Sequence, residues 1–378
     1  MRGHIAKKGS RFYPVVDIGP DPETGRRRQK WHRGHDTAKA AERHLTEILG
    51  QLDSDAYVEP SKLTLGAFLV EDWIPSLSRE RRAGTVSLYE TTIRAYVLPH
   101  LGATRLQSVT PKTLNDVYDI LLAHGGKGER PLARKTVLNV HTTLRTALED
   151  AVRWGKITRN PAELAAPPRP REHEMRTWTS AELRTFLEAA REDRLYAAWL
   201  LAATTGLRRG EALAIRWRDV ELNTGRVSIR RALVLVNGRA EFSEPKTPKS
   251  RRSVPLAPEA VAALLAHRKV QAAERLASGP GYNDSDLVFA REDGSFVSPD
   301  WFGRRFERLA RTAGVPTIRF HDLRHTFATL ALAAGVHAKV VSEILGHSKI
   351  GITLDTYSHA VPVLQEQATA TVAKLIFG

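Results

Sequence analysis

Ten residues in the middle of the chain, Ala165 to Glu174 (AAPPRPREHE), restrict what the rest can fold into. Proline and charge are mixed there with no apolar period, so neither a helix nor a strand can cross the stretch, and the regular segments on either side must build separate cores. A length of 378 residues suits two or three such bodies. We expect a small N-terminal domain over 1–60, a helical domain over 61–166 and a larger domain over 174–378.

The first segment reads as two strands and a helix. Ser10 to Ile18 is rich in β-formers, GPDPETG is a turn, and Arg26 to Arg33 returns as a second strand. Asp36 or Thr37 can cap a helix that carries Leu45, Ile48, Leu49 and Leu52 on one face. Residues 1–35 hold nine Lys/Arg against three Asp/Glu. Those cations could be a solvated extension, but Phe12, Tyr13, Val15, Val16 and Trp31 are enough apolar side chains to pin a small sheet on the helix.

Helical spacing takes over from Thr64, which caps a helix with Leu65, Phe68, Leu69 and Trp73. A second starts near Thr85 with Val86, Tyr89 and Ile93, and ends at Pro99 and Gly102. Thr110-Pro111 is a cap followed by proline at the first helical position, and a last helix runs from about Ala133 to Trp154 with His141 at its core edge. Beyond the proline-rich stretch, Thr179 and Glu182 have capping-box spacing and Leu195 to Leu207 is an apolar helix. Arg226 to Val236 alternates as a strand, Asn237-Gly238 turns it back along Arg239 to Phe242, and a third strand lies near Arg252 to Leu256. The expected fold is therefore mainly α and multidomain: a sheet-plus-helix N-terminal domain, a helical bundle, and an α+β domain with a small antiparallel sheet.

Composition narrows the partner. A net charge of +15 favours a polyanion, with anionic membrane as the rival to nucleic acid. No run of eighteen apolar residues or signal-peptide pattern occurs, which argues against spanning or secretion. Zero cysteines exclude disulfides and thiolate chemistry, and no GxxxxGK[ST] loop is present for nucleotide hydrolysis.

Three short motifs and one tyrosine concentrate the chemistry. TGLRRGE places Arg208 and Glu211 three residues apart; HDLRH opens a helix, Asp322 to Ala334, with His321 and Arg324 on one face. A second short helix, Ala338 to Leu345, stops at Gly346 and leaves His347 just beyond it, and Tyr357 follows ten residues later. Singly, each is a common surface feature. His321 and His325, four apart, also raise zinc, although Asp322 stands where a metalloprotease pattern needs Glu.

In this order and at this separation, the set resembles the catalytic signature of the tyrosine recombinases, the phage-integrase family. The resemblance implies a site-specific recombinase, the integrase of a phage or other mobile element. It implies an arm-type DNA-binding domain at 1–60 with Arg11, Arg26, Arg27, Arg28, Lys30 and Arg33 toward DNA, a core-binding domain at 61–166 and a catalytic domain at 174–378. Arg208 and Arg324 would present forked donors to the phosphate, Tyr357 would attack phosphorus, and His321 would act as base. Lys246, with Lys249 as competitor, would protonate the leaving oxygen, His347 would hydrogen-bond the phosphate, and Glu211 would orient the arginine and histidine from behind. A phosphotyrosine retains the energy of the broken bond, so the resemblance implies neither cofactor nor metal. The implied partners are double-stranded DNA attachment sites, a homotetramer on DNA and accessory DNA-bending or directionality proteins, in the bacterial cytoplasm and away from membranes. The tail, Val361 to Ile376, suits a helix docked on its own domain or on a neighbour. A type IB topoisomerase and a non-catalytic DNA-binding regulator are the alternatives.

Overall fold

A computed structural model of the chain describes residues 3–20, 24–53, 58–170, 175–236, 238–243, 251–347, 349–356 and 372–377. It divides into two compact units, Met1–Glu172 and His173–Gly378, and the division falls inside the proline-rich stretch. The chain is mostly helical with small antiparallel sheets, the class read from the sequence.

The first unit opens with an antiparallel sheet of β1 (Gly3–Lys8), β2 (Arg11–Pro20) and β3 (Arg27–Trp31), in that order. β1 is an addition to the sequence reading. Gly9, at φ +61°, makes the tight turn that pairs Lys8 with Arg11. Helix α1 (Ala38–Asp53) packs on β2, and Val15, Val16, Ala41 and Ile48 are buried.

Next come α2 (Leu65–Ala67), α3 (Ile74–Leu77), α4 (Ala83–Thr92), α5 (Leu98–Leu101), α6 (Pro111–His124) and α7 (Arg134–Arg153). Thr64 and Thr110 cap α2 and α6 through their side chains, as their positions predict. Pro99 does not end its helix, contrary to the sequence reading. A π turn over Ile93–Val97 lets the Leu98 N–H reach the Ile93 carbonyl, five residues back, immediately before Pro99. A second π turn, Phe68–Trp73, does the same for Ile74 immediately before Pro75. The wider turn takes the place of the i→i−4 bond that a proline ring would obstruct, so the helical path continues.

The core of this bundle is Phe68, Leu69, Trp73, Ile93, Val97, Leu114, Leu144 and Leu148 with their neighbours. Inside it, Trp73 Nε1 donates to Asp150 Oδ2 at 2.7 Å, and the Tyr118 hydroxyl meets His141 Nδ1 at 2.9 Å.

The second unit contains α8 (Ser180–Ala189), α9 (Tyr196–Thr205), α10 (Arg209–Ala212), β4 (Val220–Glu221), β5 (Arg226–Ile229), β6 (Ala232–Val236), β7 (Arg239–Ser243) and β8 (Arg252–Pro255). It continues with α11 (Pro258–Ser278), α12 (Pro299–Thr312), α13 (Asp322–Ala333), α14 (Ala338–Leu345) and α15 (Ile350–Thr356). The capping box of Thr179 and Glu182 is formed. Arg226 to Val236 is not one strand. It breaks at Arg231, whose Nε donates to the Ala214 carbonyl at 2.9 Å; β5 then pairs with β4 and β8, while β6 pairs only with β7. Trp178, Trp199, Phe302, Phe306 and Phe320 fill the core on which α13 rests. No helix among the described residues is long and apolar enough to cross a membrane. Of the tail, 372–377 is helical and exposed, and residues 357–371 lie outside the described residues.

Replacing Asp150 by Ala strands the buried Trp73 N–H. We expect a stability loss of about 1–3 kcal/mol, read from urea unfolding of the whole chain, with a loss below about 0.5 kcal/mol counting against this hydrogen bond.

Candidate active site

Helix α9 ends at Gly206, which turns left-handed at φ +62° and sets up the approach to α10. A Cβ at Gly206 would come within 2.6 Å of Leu345 and 2.9 Å of Phe327, so the loop can touch α13 and α14 only because this residue has none. Two residues on, both the backbone N–H and the guanidinium of Arg208 donate to the Glu211 carboxylate, at 3.1 and 2.7 Å. Glu211 is buried, yet a second cation reaches it. Arg252, first residue of β8, places Nη2 2.9 Å and Nη1 3.3 Å from the same carboxylate. Burial alone would raise the Glu211 pKa; the Arg252 hydrogen bond and the charges of Arg252 and Arg208 outweigh it and hold the carboxyl below its ordinary value.

Arg324, on the first turn of α13, is only 2% exposed. Its Nη1 donates to the Gly206 carbonyl at 2.9 Å and its Nη2 to the Leu345 carbonyl at 2.7 Å. Helix α14 closes with Gly346 left-handed and the His347 N–H bonded back to the Ser342 carbonyl at 3.0 Å, as the Gly-then-His sequence predicts. Such an end leaves carbonyls without helical partners. Here Ile344, Leu345 and Gly346 each accept from a different arginine: Arg252 Nε at 2.5 Å, Arg324 Nη2 at 2.7 Å and Arg208 Nη2 at 3.5 Å.

The two histidines are neutral near pH 7. Loss of hydration, then the positive charge of His325 and of Arg324, brings His321 down to about 4, although one edge of the residue faces solvent. Loss of hydration and the charges of Arg324 and Arg208 bring His347 to about 4 as well. His347 Nδ1 lies 2.7 Å from the buried Thr353 hydroxyl on α15, which sets the ring's orientation. His321 and His325 meet edge to face at 5.3 Å, and no group of three His, Asp or Glu among the described residues could hold a metal ion.

Of the residues picked from the sequence, Arg208, Glu211, His321, Arg324 and His347 thus share one neighbourhood. Lys246, Lys249 and Tyr357 lie outside the described residues; Tyr357 directly follows the last residue of α15 in sequence. Arg252 and Thr353 were not singled out. Thr353 could have been, since it stands four residues before Tyr357.

Residues 176–362 match the phage integrase family, and residues 4–52 match the arm DNA-binding domain. A tyrosine recombinase XerC-like protein of Caldanaerobacter subterraneus subsp. tengcongensis is 31% identical, over 98% of both chains. The chain belongs to the tyrosine recombinase family. An integrase of Streptomyces ambofaciens is 28% identical to this recombinase, over 97% of this chain and 94% of its own. Two solved structures share the fold. The Tn1549 transposon integrase in complex with a circular intermediate DNA has a TM-score of 0.65 at 21% identity, over 81% of this chain and 99% of that one. A lambda integrase dimer bound to a COC′ core site has a TM-score of 0.57 at 17% identity, over 93% and 94%.

In the N-terminal sheet of this recombinase, the six basic residues expected to face DNA divide into two groups. Arg11 pairs with Asp36 at 3.5 Å, Arg27 with Asp17 and Lys30 with Glu59. Arg26, Arg28 and Arg33 are exposed, with no ion pair among the described residues.

The two depressed histidines carry a pH signature. In the unfolded chain both take up protons near pH 6.5, whereas in the folded recombinase they do so near 4. The stability they contribute is complete above about pH 6.5 and is lost as pH falls from there through 4. In DNA-free protein, the ring protons of His321 and His347 should show no titration by NMR between about pH 8 and about pH 5.5; midpoints near 6.5 would contradict the packing described.

Proposed function

We propose that the protein cuts and rejoins DNA at specific sites through a 3′-phosphotyrosyl bond made by Tyr357. The observation that carries this is the pair Arg208 and Arg324, held on neighbouring carbonyls with Glu211 and two neutral histidines around them. A phosphodiester in displacement gathers negative charge on two non-bridging oxygens, and preorganised forked donors stabilise it without rearranging.

In this reading Tyr357 attacks phosphorus, forms the bond to the 3′ phosphate and expels the 5′ oxygen. His321, neutral at pH 7, accepts the phenolic proton, and a lysine of the 244–250 segment, Lys246 or Lys249, protonates the leaving oxygen. His347 donates to a phosphate oxygen while Thr353 fixes its ring. Attack by a second 5′ hydroxyl reverses the step and reseals the strand.

The organisation we assign is an arm-binding domain over 1–60, a core-binding domain over 61–166 and a catalytic domain over 174–378. The partners are double-stranded attachment sites, bound as a homotetramer with accessory DNA-bending or directionality proteins, on DNA in the bacterial cytoplasm. The match of residues 4–52 to an arm DNA-binding domain, and the exposed Arg26, Arg28 and Arg33, support the first assignment.

The test uses nicked duplexes tiled across the DNA that flanks the coding sequence, scored for covalent protein–DNA adducts after denaturation. Wild-type protein should give an adduct on a defined duplex, and Tyr357→Phe should bind that duplex and give none. Arg208→Lys keeps the charge and loses the fork, so adduct formation should fall on the order of 10²–10³-fold with binding little changed. Equal losses of binding and cleavage would make Arg208 a docking residue, and an adduct with Tyr357→Phe would remove that residue from the chemistry.

A further inference from the structure

Arg252 is the cation that neither the motifs nor the proposed steps use. Its side chain is 7% exposed. Its three nitrogens reach Glu211 and Ile344, which belong to different parts of the site. Nη1 and Nη2 face Glu211 at 3.3 and 2.9 Å, and Nε donates to the Ile344 carbonyl at 2.5 Å. The fit is close: a Cβ at Gly346 would lie 2.8 Å from Arg252 Nη1. The backbone beneath is fixed too, because β8 pairs with β5 from Arg252↔Ile229 through Pro255↔Arg226.

We propose that Arg252 is a positioning residue for strand cleavage, bracing Glu211, and through it Arg208, against the end of α14 that leads into His347. The proposal rests on the reading of Tyr357 chemistry given above. Its physical content is one carboxylate shared by two guanidiniums. With Arg252 in place, Glu211 is neutralised from one side, so Arg208 need spend only Nη1 and its backbone N–H on it, while the Arg208 side chain stays 37% exposed toward a substrate. Without Arg252, Glu211 and the Ile344 carbonyl each lose a donor, so the carboxylate, and Arg208 with it, is no longer tied to the end of α14.

A purely architectural arginine and a positioning one differ in their response to pH. Removing Arg252 leaves burial to raise the Glu211 carboxyl, so in Arg252→Gln that group takes up a proton as the solution is made mildly acidic and releases its hold on Arg208. The experiment follows single-turnover adduct formation by full-length protein on the duplex identified above, from about pH 5.5 to about pH 8.5, with binding measured in parallel by mobility shift. Variants are Arg252→Gln, Arg252→Lys, Glu211→Gln and the Arg252→Gln/Glu211→Gln pair.

We expect Arg252→Gln to bind as wild type and to form adduct about 10²-fold more slowly, the size of effect that a small misplacement near the reacting atoms produces. The loss should deepen toward acid pH. Glu211→Gln should be slow without that extra acid limb, and adding Arg252→Gln to it should cost little more. Arg252→Lys, which keeps charge and stem, guards against a folding failure and should restore part of the rate. A wild-type rate in Arg252→Gln across the pH range overturns the proposal, as does a pH-independent loss that multiplies with Glu211→Gln. If wild-type protein forms no adduct on any duplex, the recombinase chemistry itself fails and this inference with it.

Discussion

The last turn of α14 has to be capped, and that requirement organises the site. Three consecutive carbonyls, of Ile344, Leu345 and Gly346, lie at the negative end of a helix dipole and receive donors from three guanidiniums. The arginines come from β8, from α13 and from the start of α10, so one helix end ties together segments that are far apart in the chain. Two glycines make the approach possible. Gly206 and Gly346 both adopt left-handed backbone, and side chains there would collide with Leu345 and with Arg252. The interactions that satisfy a helix terminus are therefore the same ones that hold Arg208 and Arg324 in place.

Charge balance follows from that geometry. Three cations converge on the helix end, and the buried carboxylate of Glu211 pairs with two of them, Arg208 and Arg252. Breaking into such a buried network by removing one partner typically costs about 3–5 kcal/mol, because a charge is left without its counterpart. The cations also act on the histidines. With the cations close by and the rings partly withdrawn from water, His321 and His347 stay neutral to about pH 4, and a neutral imidazole can accept a proton from a phenol where an imidazolium cannot. Basicity over the whole chain, +15, suits a polyanionic partner at longer range.

What could be read from the sequence was what depends on near neighbours. Thr64, Thr110 and Thr179 cap their helices, and Gly346 ends α14, because each bond spans a few residues. Arg208, His321, Arg324 and His347 stood out through their motif order. Arg252 did not, since its partners Glu211 and Ile344 are 41 and 92 residues away and nothing local marks it among other arginines. The break between β5 and β6 was hidden for the same reason: Arg231 finds its acceptor on Ala214, outside the strand pattern. Proline as a helix breaker misled at Pro99, because a π turn upstream changes which carbonyl the helix uses and the helical path runs on to Gly102, the other end the sequence offered.

Arg208 and Arg324, to which we assign the phosphate, are already assembled on the end of α14 in the DNA-free protein. A crystal structure of Tyr357→Phe bound to its cleavable duplex tests this most directly. We expect the two non-bridging oxygens of one phosphate within hydrogen-bond reach of Arg208 and Arg324, with the Arg324 bonds to Gly206 and Leu345 and the Arg252 bonds to Glu211 and Ile344 unchanged from the DNA-free protein. A phosphate seated elsewhere, or arginines that leave those carbonyls to reach it, would contradict it.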